Sequence, residues 1–70
     1  MIVLSDYRGF RVDVVAVAAA ANWNAHVRIS RALVAPTAHV ETVACRERSA
    51  RLAEERGAAY AQRWIDRVAG

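Results

Sequence analysis

A chain of 70 residues with a net charge of +3 makes one domain, too short to bury more than a modest share of its surface. The hydrophobic fraction is 56%, yet sixteen of those residues are alanine, so the bulky core must come from few side chains. No segment is long and apolar enough to span a membrane as a helix, and a single cysteine, Cys45, excludes an internal disulfide and fits a reducing cytoplasm.

All ten basic residues are arginine, a usage that with abundant alanine and valine suggests a high-GC bacterial genome. The sequence pI of about 10.0 permits anionic partners. Four arginines face three acids in residues 1–45 and six face four in residues 46–70, so neither half forms a basic pole.

The stretch 1–6 contains Ile2, Val3 and Leu4, too short a run to define an element, and reads as a frayed start or an edge extension. From Tyr7 the pattern alternates, with Phe10, Val12, Val14 and Ala16 to one side and Arg11 and Asp13 to the other, as in a half-buried strand. Val15 and Val17 break that alternation and leave apolar surface on the outer side. An apolar run at 14–21 resembles a signal sequence only superficially, because Asp6 and Asp13 stand where basic residues belong. Residues 18–22 read as a connection, since four alanines cannot nucleate a helix alone.

Trp23, Ala25, Val27 and Ile29 then alternate with Asn24, His26, Arg28 and Ser30, the pattern of a central strand. Leu33, Val34 and Ala35 prolong it raggedly, and Pro36-Thr37 breaks it because proline cannot donate to a ladder. Residues 39–47 read as a third strand. Val43 and Cys45 are assigned inward, since the opposite choice would bury Arg46.

Residues 49–68 carry Ala53, Gly57, Tyr60, Ala61, Trp64, Ile65 and Val68 at steps of three and four, with charged residues opposite. This is an amphipathic helix with Ser49 as N-cap and Gly70 at its end. Gly57 falls on the apolar stripe and marks a close approach of helix and sheet. The fold expected is α+β: a three-stranded antiparallel meander with one C-terminal helix packed on one face (β-β-β-α). Trp64 is expected as the keystone of its core, meeting Phe10 and Trp23.

Little in the chain suggests catalysis. Cys45 with His26 or His39 is the one nucleophile set, and no glycine-rich oxyanion turn surrounds it. Cys45, His39, His26 and Glu41 match no strong zinc spacing. Gly9, Gly57 and Gly70 are too far apart for a phosphate loop. No catalytic, cofactor or metal residue is therefore assigned. The candidates for partner contact are Arg8, Arg11, Val15, Val17, His26, Arg28 and Arg31. A single helix covers one sheet face, so the outer face or an edge strand is left for a protein partner or a second copy. In the alternative, Arg8, Arg11, Arg28 and Arg31 contact nucleic-acid phosphates.

Glu41-Thr42-Val43 followed by Ser49-Ala50, Ala53-Glu54, Gly57, Ala61 and Trp64-Ile65-Asp66 resembles the C-terminal half of short bacterial proteins in which a strand leads into an alanine-rich helix. The order of three strands then a helix is also similar to the partial double-stranded-RNA-binding fold of HicB-type antitoxins. That resemblance implies a regulatory role on nucleic acid. The chain departs from those antitoxins in having Ala35-Pro36-Thr37 where they carry a Pro-Gly turn.

Overall fold

The computed structural model describes residues 1–31 and 38–70; Leu33, Val34, Ala35, Pro36 and Thr37, with the ragged extension and break assigned to them, lie outside the described residues. The elements are β1 (Ile2–Tyr7), β2 (Phe10–Ala19), β3 (Asn22–Arg31), β4 (Ala38–Glu47) and α1 (Ala50–Ala69). The strands form one antiparallel sheet in the order β1-β2-β3-β4. The expected three-stranded meander is thereby corrected to β-β-β-β-α.

The extra strand is the stretch read as a frayed start or an edge extension, and it is a full edge strand. Ile2 pairs with Val14 and Leu4 with Val12, placing both side chains against the core, while Val3 opposite Asp13 points outward. A register shift between Leu4 and Tyr7 then brings Tyr7 opposite Phe10. The Arg8-Gly9 turn makes this possible, because both residues have positive φ, 53° and 84°, the twist that a tight hairpin requires. Asp6 Oδ1 accepts the Gly9 N–H at 2.9 Å and fixes the turn. Tyr7 thus closes β1 instead of opening β2.

The alanine run is also strand rather than connection up to Ala19. Ala18 pairs with Trp23 and Ala19 with Asn22, leaving Ala20 and Ala21 as the turn, with Ala20 at φ 55°. Cross-strand partners supply the hydrogen bonds that alanine's helix propensity would otherwise seek within its own segment.

Helix α1 keeps its expected limits. Ser49 is extended, and its Oγ accepts the Leu52 N–H at 3.2 Å. Gly70 donates its N–H to the Asp66 carbonyl at 3.0 Å. The buried helix residues are Ala53, Gly57, Ala61 and Ile65. Three small residues in that row let the helix lie close to the sheet. A Cβ on Gly57 would sit 2.7 Å from both Ala25 Cβ and Val14 Cγ1, nearer than carbon atoms can approach.

The core is consequently built from the sheet. Phe10, Val12, Val14, Ala25, Val27 and Ile29 are buried beneath Ala61 and Ile65. Ile65, fully buried, is the large helix residue at the centre; Trp64 is only partly buried and lies at the rim. Its ring meets Phe10 edge to face at 6.5 Å and stacks on His39 at 4.8 Å. Trp23 pairs with Ala18 and Glu47 at the opposite end of β3, out of reach of Trp64. The expected contact of Trp64 with Phe10 is present, but its central place in the core and its contact with Trp23 are not, because neighbouring helix residues are about 100° apart and Ile65 takes the inward direction.

Candidate interaction surface

Because directly opposed residues of an antiparallel ladder share a face, the register defines the side of the sheet that α1 leaves uncovered. One row across it is Arg11, Ser30 and Ala38. The next is Val3, Asp13, Arg28 and Val40, spanning the whole sheet. Below it come Val15, His26 and Thr42, then Val17 with Asn24.

Val3, Val15, Val17 and Val40 are 43%, 38%, 37% and 51% exposed, and Met1 beside them is exposed as well. Met1, Asp13, Val15, His26 and Arg28 line a shallow depression of about 140 Å³ on this face. Aliphatic and charged groups therefore meet in one place. Strand alternation would accept threonine or serine at each of these outward positions at little cost.

The polar groups of this face are unequally committed. Arg11 donates from Nε to Asp13 Oδ2 at 3.1 Å and from Nη2 to Oδ1 at 3.0 Å. That carboxylate raises the Arg11 guanidinium above its ordinary value through the hydrogen bond and the opposite charge. His26 Nδ1 lies 3.3 Å from Thr42 Oγ1. Among the described residues Arg28 has no carboxylate partner, although it stands directly across the ladder from Asp13.

The other two arginines proposed as contacts are elsewhere. Arg8, in the β1–β2 turn, donates to Asp66 Oδ1 of the helix at 3.0 Å. The same oxygen accepts from Tyr7 at 3.0 Å. Arg8 first, then Tyr7, hold the Asp66 carboxyl below its ordinary value. Arg31 pairs with Phe10 on the helix side, its guanidinium carbon 4.9 Å from the Phe10 ring centroid. The structure thus brings Arg11, Val15, Val17, His26 and Arg28 together and separates Arg8 and Arg31 from them.

Val3, Asp13 and Val40 belong to the surface and are not among the contacts expected from sequence, although the alternation places Asp13 on the outer side with Arg11. Val40 follows from the inward facing of Val43, one strand step out of phase with it. Val3 needed β1, whose hairpin is signalled by the Arg8-Gly9 pair.

The considered metal and nucleophile sets do not assemble. His26 is on the uncovered face, whereas His39, Glu41 and Cys45 are on the helix side. Six residues of strand put His39 and Cys45 about 20 Å apart. Cys45 Sγ instead donates to the Trp23 carbonyl at 3.6 Å. Glu41 Oε1 accepts from the Tyr60 hydroxyl at 2.7 Å and lies 2.9 Å from His39 Nε2. Those two contacts, Tyr60 first, lower the Glu41 carboxyl, and Glu41 in turn raises the Tyr60 phenol. This cluster ties the β4 edge to the helix.

Comparison of the chain with protein-family models, with curated proteins and with solved structures finds no match.

Proposed function

We propose that this protein is a non-enzymatic interaction module that docks a protein partner on the uncovered face of its sheet. The observation that carries this reading is the set of four exposed valines, Val3, Val15, Val17 and Val40, on the face away from α1. Fully burying a valine from an exposed position is favourable by about 1.5–3 kcal/mol; these four are already partly covered, so a partner laid over this face gains a fraction of that from each of them. The functional surface is the sheet, and α1 serves as its support.

A photo-crosslinking residue at Val40, compared with the same residue at Arg63 on the charged side of α1, tests this in the cells that make the protein. An adduct heavier than the 7.7 kDa chain from position 40 and none from position 63 is the expected result. Equal labelling from both positions, or none, would overturn it. Arg11 and Arg28 on the same face make nucleic acid the second reading. Duplex RNA that binds at low salt, releases steeply as salt rises and is lost in Arg28→Ala would put nucleic acid in the partner's place.

A further inference from the structure

The row Val3, Asp13, Arg28, Val40 has a property that the other rows of this face lack: read from either edge it runs apolar, charged, charged, apolar, with the two charges opposite in sign. We propose that the occupant of the uncovered face is a second copy of this chain, stacked face to face about a twofold axis running along the strands between β2 and β3. The inference rests on the reading of that face as an interaction surface and names its partner.

A twofold rotation about an axis along the strands keeps every row at its own height and reverses the order of strands across it. β2 of one copy then lies over β3 of the other, and β1 over β4. Asp13 meets Arg28 of the second copy, and the reciprocal contact forms at the same time. Val3 covers Val40 of the second copy, again twice. In the neighbouring row Ser30 stands over Arg11, a pair able to share a hydrogen bond.

The alternative axis, running across the strands through this row, would place Asp13 on Asp13 and Arg28 on Arg28. Like charges opposed in an excluded-water contact are costly, so the charges select the first axis. Aligned sheets pack about 10 Å apart, a gap that one arginine and one aspartate span between them. Asp13 can serve both neighbours, since a carboxylate offers about four acceptor positions and Arg11 leaves part of them open. Arg28, without an acidic partner among the described residues, gains one.

The area suffices. Four strands at about 4.8 Å, each contributing about eight residues at about 3.3 Å, make a face of roughly 500 Å², and two such faces reach roughly the 1,000 Å² that a specific interface requires.

The test is a charge exchange read by sedimentation or by size exclusion with light scattering. The wild-type chain is expected to be dimeric. Asp13→Arg alone opposes two arginines in each reciprocal contact, and Arg28→Asp alone opposes two aspartates, so each variant should weaken dimerisation by about a hundredfold or more. An equimolar mixture of the two variants restores both contacts and should return the dimer, as should the double variant. Val40→Arg supplies an independent disruption at a half-exposed position.

A wild-type chain that stays monomeric at about millimolar concentration, far above the affinities of specific interfaces, overturns the inference. So does a dimer that survives both exchanges, or a mixture of folded variants that fails to re-form it. A monomer that still gives crosslinks from position 40 at a mass other than twice the chain removes the second copy while leaving the interaction surface in place.

Discussion

Val14 and Val15 are neighbours in β2 with opposite fates: Val14 is fully buried against α1, while Val15 is 38% exposed on the other face. The same contrast runs through the sheet. Val12, Val27 and Ile29 are buried to within 2% of completely, whereas Val3, Val17 and Val40 are between 37% and 51% exposed. Residue type does not separate the two faces. What separates them is that one is roofed by a helix lined with Ala53, Gly57 and Ala61, small enough to lie close, and the other has no roof among the described residues. A valine contributes stability in proportion to the water it sheds, so equal side chains contribute fully to folding on one side and remain partly in water on the other.

The contrast breaks most severely at Ile65, the large helix residue in the roofed core. Ile65→Ala should cost about 2–5 kcal/mol, against the roughly 3–5 kcal/mol that one core of this size supplies. A circular-dichroism melt is expected to show a largely unfolded chain at 25 °C. A variant that melts like the parent would mean that the helix does not carry the inner face.

Gly57→Ala tests the closeness of the roof. Alanine gains about 1 kcal/mol in helix propensity, but its Cβ would stand 2.7 Å from Ala25 and Val14. Overpacking of this kind costs about 1–3 kcal/mol, so the net effect on chemical denaturation should be destabilising despite the better helix former. A stabilised variant would show that helix and sheet can separate freely.

The adjacent pair sharpens the comparison directly. Val14→Thr places a hydroxyl in the core and should lower stability by about 1–3 kcal/mol. Val15→Thr, one residue along, should stay within about 0.5 kcal/mol of the parent monomer. Equal losses in urea titrations would contradict the assignment of faces.

The smallest expected effect is that of Tyr60→Phe, at the β4 margin of the roofed side. Glu41 has its carboxyl lowered below the ordinary value of 4.5 by the Tyr60 hydroxyl and His39. A carboxyl held low in the folded state contributes stability above its unfolded value, and the contribution is lost as pH falls through the folded value. Melting temperatures of Tyr60→Phe should therefore lie below the parent at neutral pH and converge with it below about pH 4.5. A gap that persists unchanged into acid would assign the loss to packing instead.

Much of this was legible in the residues. The spacing in residues 49–68 gave the helix to within one residue at either end, because an amphipathic stripe over five turns admits no other period. The alternation around Trp23 to Ile29 gave the central pairing, and the inward facing of Val43 and Cys45 agrees with their packing against the core. The first strand was not legible, since Ile2, Val3 and Leu4 form an unbroken apolar run whose period-2 meaning appears only when β2 lies beside it. Among the candidate contacts, Val15 and Val17 could be read from a broken alternation, whereas the diversion of Arg8 to Asp66 and Arg31 to Phe10 depends on partners far away in sequence.

By itself the sequence determined the elements governed by local period and turn chemistry: the capped helix, the central strand, and a sheet with one helix to cover it. Only the tertiary structure decided which residues stand side by side across the strands. The row joining Val3, Asp13, Arg28 and Val40 draws on four separate segments, and register, set by bulges, turns and the burial of the opposite face, is a property of pairs of strands that no single segment contains.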